Sequence, residues 1–226
     1  MPPLPLITDT PLRSRPWMNW LLIAANIGAF LWQRLHPQAM ARCELAVQSL
    51  DLYRFVTYAF MHVGWSHLIL NMLMLYVLGN NINDRLGQLG YLGFYLAGAV
   101  VSAIGYVLLG GVAVVGASGA VGAVMGAFLV LLPTSNITVY GIVAWLEVPS
   151  MYFVVVFFVY NVVMSLLSRL GAPTVAYEAH IAGMLFGFVI ALVLLLGRLL
   201  PRQGSDLLAL LRQARRNGRA ELSDKA

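Results

Sequence analysis

Six apolar runs, at about residues 17–33, 64–82, 88–110, 117–133, 149–168 and 176–199, limit what this chain can become more than any other feature. Each is near the ~20 residues that a helix needs to cross a hydrocarbon layer. The block from 88 to 133 is long enough for two crossings, and Gly110, Gly111 and Gly116 supply the break between them. Composition agrees, with 60% hydrophobic and only 10% charged residues, where a soluble domain carries about 25% charged. The expected fold is an all-α membrane protein, a bundle of six transmembrane helices. It occupies residues 17–200 as one domain, between an N-terminal tail at 1–16 and a basic C-terminal tail at 201–226. The first run carries Asn19 and Asn26, and the fourth is short. The stretch 137–148 contains Glu147 and is expected either to lie along the interface or to lengthen the fifth helix.

The charge pattern sets an orientation. With the N-terminus cytoplasmic, the outer segments hold Arg34, Arg42, Arg54 and Arg169, leaving ten of the 14 basic residues (14 − 4) inside. Basic residues accumulate on the cytoplasmic side, so both termini are expected there. The net charge of +5 therefore reflects membrane topology rather than a nucleic-acid partner. The single cysteine, Cys43, excludes an internal disulfide and a cysteine metal cluster. Residues 1–16 contain five prolines and no apolar core, so they read as a short flexible tail and not as a signal peptide. Beyond Ser205 and Asp206 an amphipathic pattern predicts a solvated or surface-lying helix.

Polar groups inside crossing segments are costly and mark function by default. A serine among small residues, as at 115–122, has a bland reading, since such runs pack helices closely and a helical serine bonds its own backbone. Depth argues otherwise. The second, fourth and sixth helices run from outside to inside, and His67, Asn71, Ser118 and His180 all lie in their first turns. They share one level just below the outer surface. His67 and Asn71, four apart, also share a helix face.

A serine hydroxyl needs a base within hydrogen-bond reach, and an imidazole is the usual partner. Asp and Glu are missing from the interior of the spans, so a Ser118/His180 dyad is the economical assignment. Acyl transfer also needs donors aimed at the oxyanion of its tetrahedral intermediate. Asn71, His67 and the Ser118 backbone N–H can supply them, the last because the first amides of a helix lack partners. Gly119, Gly122 and Gly126 on the fourth helix, with Gly183 and Gly187 on the sixth, allow the close approach the dyad requires. A metal site built from His62, His67, His180 and Glu178 is the chemical rival. It lacks the zinc-protease spacing and leaves Ser118 without a role. A transporter would need a charged residue at mid-bilayer depth, and none is present.

These residues resemble the rhomboid intramembrane serine proteases. The resemblance rests on Gly116-Ala117-Ser118-Gly119, on Ala179-His180-Ile181-Ala182-Gly183 with Gly187, on His62, His67 and Asn71, and on Tyr53-Arg54 in the place of the family's Trp-Arg pair. It covers about residues 17 to 199. It implies a membrane-embedded active site with Ser118 as nucleophile and His180 as general base. Asn71, His67 and the Ser118 amide would surround the oxyanion, and His62, Arg54, Gly116, Gly119, Gly183 and Gly187 would support the site. It also implies no metal or organic cofactor. The partners would be the lipid bilayer and single-span membrane-protein substrates, cut near the outer face of what is expected to be a bacterial inner membrane. Oligomeric state is not specified by any feature of the sequence. A non-proteolytic membrane protein of the same fold, binding transmembrane helices without cutting them, is the alternative. Two departures stand out: Tyr53 replaces the usual Trp, and Gly122 stands where many members carry an aromatic that packs against the base.

Overall fold

The computed structural model describes residues 4–140, 145–170 and 175–223, and most of them are helical. In chain order the elements begin with β1 (Leu4–Thr8), α1 (Trp17–Leu35), α2 (Ala39–Cys43), β2 (Leu45–Ala46) and α3 (Arg54–Thr57). Next, α4 (Trp65–Met74) runs through a widened turn at Leu75–Gly79 directly into α5 (Asn80–Leu86). They are followed by α6 (Gln88–Leu108), β3 (Ala113–Val114) and α7 (Ser118–Leu131). The chain ends with β4 (Asn136–Tyr140), β5 (Trp145–Pro149), α8 (Ser150–Ser168), α9 (Tyr177–Leu196) and α10 (Leu207–Ser223).

The apolar runs coincide with α1, α4–α5, α6, α7, α8 and α9. Three of these, α6, α8 and α9, are long and apolar enough to cross a membrane alone. A fourth crossing follows if Arg54–Phe60 and Trp65–Leu86, bent by 99°, form one broken span. Along α8, Tyr152, Val156, Val159, Val163 and Leu166 are exposed, and along α9 Leu185, Val189 and Val193. Such continuous apolar faces suit hydrocarbon surroundings and not water. The chain is a membrane protein.

At the centre stands α7. Of its 14 residues only Ser118 and Leu129 are not buried, and its neighbours include α4, α5, α6, α8 and α9. Small residues make this possible. Deprived of large side chains, helices gain dispersion contact by bringing backbones together. Next to Gly183 the nearest foreign atom is the Gly119 carbonyl oxygen, and next to Gly187 it is that of Ala123.

Elsewhere, side-chain amides brace the helices. Asn19 is fully buried; its Nδ2 donates to the Leu75 carbonyl and to Asn80 Oδ1 (both 2.8 Å), while its Oδ1 accepts from the Tyr91 hydroxyl at 2.7 Å. The bond to Leu75 falls at the widened turn, where the regular helical ladder is interrupted. Asn26 donates to Leu22 O and to the Tyr95 hydroxyl. The asparagines that make the first run look least membrane-like are thus its internal fastenings.

Two expectations are corrected. The N-terminal tail is not uniformly unstructured: β1 pairs antiparallel with β4, and β4 with β5, in a three-stranded sheet of order β1-β4-β5. Asp9 continues this contact by accepting from Ser135 Oγ and the Asn136 amide. The described part of 137–148 does not lengthen α8 but forms two antiparallel strands; residues 141–144 lie outside the described residues. The fold is accordingly not purely α. Pro149 keeps the stretch from running into α8 as helix, because the residue before a proline is pushed to extended backbone. The expected C-terminal helix is present as α10, with Asp206 accepting from the Gln203 and Ala209 amides as its cap.

Candidate active site

Ser118 is the first residue of α7, and the loop before it is shaped by one glycine. Gly116 has φ 118°, a conformation that residues with a Cβ rarely adopt. Its amide donates to the Tyr58 carbonyl at 2.9 Å. The Tyr58 hydroxyl, buried, in turn donates to the Ala99 carbonyl on α6 at 2.7 Å. The turn into α7 is thereby pinned from two sides. A Cβ at 116 would also stand 2.8 Å from His67 Nε2, so the His67 imidazole lies close against the backbone two residues before Ser118.

From the opposite side comes α9. Gly122 is one turn beyond Ser118 on the same face of α7. A Cβ there would lie 2.9 Å from the His180 carbonyl oxygen. The turn of α9 that carries His180 is therefore seated against the turn of α7 that begins at Ser118. Ser102 on α6 secures it, its hydroxyl donating to the Ala179 carbonyl at 2.7 Å. The small residues at 122 and 126 also explain why no aromatic can occupy position 122: the space is filled by the backbone of α9.

The His180 imidazole is half-buried, and its Nδ1 lies 2.7 Å from Asn161 Oδ1 on α8. Tyr177 stands edge-on to the ring, with centroids 6.3 Å apart. Among the described residues no hydrogen bond joins Ser118 Oγ to the imidazole. In unliganded enzymes such bonds are commonly long and tighten when substrate binds.

The remaining candidates fall as follows. His62 is fully buried, its ring edge-on to His67 at 5.1 Å between centroids. Its backbone is clasped by Gln33, which donates to the His62 carbonyl (2.7 Å) and accepts from the His62 amide (3.0 Å). Asn71 is buried one turn after His67 and donates to the His67 carbonyl at 2.8 Å. One of its two N–H groups stays available. Arg54 ties the loop together, bonding Asp51 and the Ala41 and Glu44 carbonyls, with its guanidinium 5.5 Å from the Tyr53 ring centre. Glu178 accepts from Ser165 Oγ at 2.6 Å, so it turns toward α8 rather than toward the other histidines.

Comparison with known proteins is decisive for the family. The Rhomboid domain model matches residues 49–197. The chain belongs to the rhomboid family. That family includes serine proteases such as GlpG. This rhomboid is similar to Rhomboid protease GlpG of Yersinia pseudotuberculosis, 30% identical over 144 residues that cover 64% of this chain and 49% of that protein. It is also similar to the mitochondrial RHOMBOID-like protein 6 of Arabidopsis thaliana, 29% identical over 191 residues covering 82% and 54%. With the mitochondrial RHOMBOID-like protein 12 of the same plant it shares 30% identity over 113 residues, 42% and 33% of the two chains. The matched regions span about a third to a half of the length of these relatives.

Sequence reasoning missed Asn161, Ser102, Tyr58 and Gln33 in this rhomboid. Asn161 carried a signal, since it is a lone carboxamide in an apolar run. The shared-depth criterion overlooked it because α8 runs the other way, and Asn161 lies past its middle rather than in its first turn.

Proposed function

We propose that this rhomboid is an intramembrane serine endopeptidase with Ser118 as nucleophile and His180 as general base. The observation that carries the reading is the seating of the His180 turn of α9 against the Ser118 turn of α7. His180 Nε2 takes the Ser118 hydroxyl proton as Oγ attacks the scissile carbonyl. The Ser118 amide, the free Asn71 N–H and His67 hold the resulting oxyanion. The protonated imidazole then gives its proton to the leaving amine, and a water deprotonated by His180 hydrolyses the acyl-enzyme. The chemistry calls for no metal or organic cofactor.

Within this reading α1 and α7 complete six crossings, with both termini cytoplasmic and the protein in a bacterial inner membrane. With 14 residues, α7 is only ~21 Å long against a hydrocarbon layer of about 30 Å. A helix of that length need not reach both faces, and in this reading its Ser118 end begins inside the membrane, below the outer face. Substrates are single-span membrane proteins whose helices unwind near that face.

The test is cleavage of a reporter transmembrane substrate in proteoliposomes, with labelling of Ser118 by a serine-directed phosphonate. Ser118→Ala and His180→Ala should each abolish cleavage while the protein stays folded. Asn71→Ala should slow it by about 10²–10³ as an oxyanion donor. Full activity of Ser118→Ala overturns the proposal. A folded wild type that binds the substrate helix but neither cleaves nor takes the label would establish the non-proteolytic alternative instead.

A further inference from the structure

Three asparagines of the bundle make the same local bond, each donating Nδ2 to the carbonyl four residues earlier: Asn26 to Leu22, Asn71 to His67 and Asn161 to Phe157. For a buried asparagine in an apolar helix this bond removes one unpaired donor and needs no further purpose. The three differ in what their oxygens do. Asn26 Oδ1 is buried without a partner among the described residues, whereas Asn161 Oδ1 meets the Nδ1 of His180 at 2.7 Å.

The bond at the other end of the carboxamide decides how this contact works. A backbone carbonyl only accepts, so the Asn161 atom 2.7 Å from Phe157 O is the nitrogen. The atom facing the imidazole is then the oxygen, which also only accepts. Nδ1 must carry the ring proton, and in the neutral imidazole the lone pair lies on Nε2. Asn161 is 1% exposed, so water does not compete for this bond. The neighbouring aromatic ring, Tyr177, touches the imidazole edge-on and leaves its tautomer undetermined. At position 122, where an aromatic side chain would otherwise restrain the base, the α9 backbone leaves no room.

We propose that Asn161 is a positioning residue for the base: from α8 it fixes the orientation and the Nδ1–H tautomer of His180, so that Nε2 is the nitrogen presented to Ser118. This rests on the protease reading above. The unit is then a serine, a histidine and a carboxamide on three helices, with the asparagine acting through the histidine and not on substrate. A second bond of the same α8–α9 interface, Ser165 Oγ to Glu178 at 2.6 Å, lies one turn further along α8 and keeps the two helices in register.

The test combines kinetics with a spectroscopic signature. In proteoliposomes, Asn161→Leu keeps the branched shape of the side chain and removes the acceptor. It should lower kcat about 10–100-fold, the usual cost of losing an orienting partner, with little change in KM. Asn161→Asp keeps an oxygen acceptor for Nδ1–H and should restore most of the rate. With four histidines in the chain, ¹⁵N-histidine labelling with a His180→Gln control isolates the His180 ring signals by magnetic resonance. The wild type should show a protonated Nδ1 and a bare Nε2, and Asn161→Leu should lose that preference. An unchanged kcat in folded Asn161→Leu, or a wild-type ring protonated on Nε2, overturns the proposal. The tautomer measurement on the wild type decides even if Asn161→Leu fails to fold. A wild type that carries the Nδ1–H tautomer yet never reacts with the phosphonate would refute the protease reading while upholding the placement of the imidazole.

Discussion

The two sides of the bundle are joined by different means. Around α7 and α9 the contact is backbone against backbone, with Gly119, Gly122 and Gly126 facing the turns of His180 to Gly187. Around α1, α4 and α5 the helices stand further apart and are bridged by carboxamides, Asn19 to Leu75 and Asn80, and Gln33 to the backbone of His62. Close packing admits no adjustment, since a backbone has no rotamers to yield. An amide bridge is specific in partner yet tolerant of small shifts. The candidate nucleophile and base sit on the unyielding side, where sub-ångström placement matters most. The histidine–asparagine helix that faces them sits on the bridged side.

Substitutions on the two sides should therefore fail differently. The largest effect is expected from Gly187→Val, whose side chain would run into the Ala123 carbonyl. It should cost about 3 kcal/mol or more and remove activity with it, as measured by unfolding in detergent beside reporter cleavage. A mild, uniform loss of stability there would contradict rigid packing. Asn19→Leu comes next. It removes three bonds, two of them buried, and strands the Tyr91 hydroxyl, for an expected loss of about 2 kcal/mol. Activity at low temperature should survive in part, because neither Ser118 nor His180 is touched. The smallest effect belongs to Thr8→Val, which cuts the part-buried bond from β1 to Asn81 Oδ1. A change of about 1 kcal/mol or less is expected, with the cleavage rate unaltered. A large loss of activity would mean that the small sheet governs the site rather than merely covering one end of the bundle.

Much of this was legible in the residues. The limits of α1, α6, α8 and α9 follow the apolar runs to within a few positions, and Gly110 and Gly116, both with positive φ, mark the break between α6 and α7. The expectation that glycines let the helices approach closely also holds at Gly183 and Gly187. The pairing of β1 with β4 was not legible. It joins segments more than 120 residues apart; β4 does alternate, as Asn-Ile-Thr-Val-Tyr, but β1 does not, and no local rule names a partner at that distance. Nor was the hold on His180. The resemblance pointed to position 122 for a restraining aromatic, whereas the space there is occupied by α9 and the partner comes from α8.

The sequence by itself determined that the chain belongs in a membrane, where its long helices lie, and that His67 and Asn71 share a helix face. These follow from local rules: segment length against bilayer thickness, and the 3.6-residue period. Only the tertiary structure decided which polar atom meets which. That the Asn161 carboxamide meets Nδ1 of His180, and that Gln33 clasps His62, depends on the rotation of each helix about its axis and on its distance from its neighbours. Those quantities are set by the simultaneous packing of all the helices around α7, and no single segment encodes them.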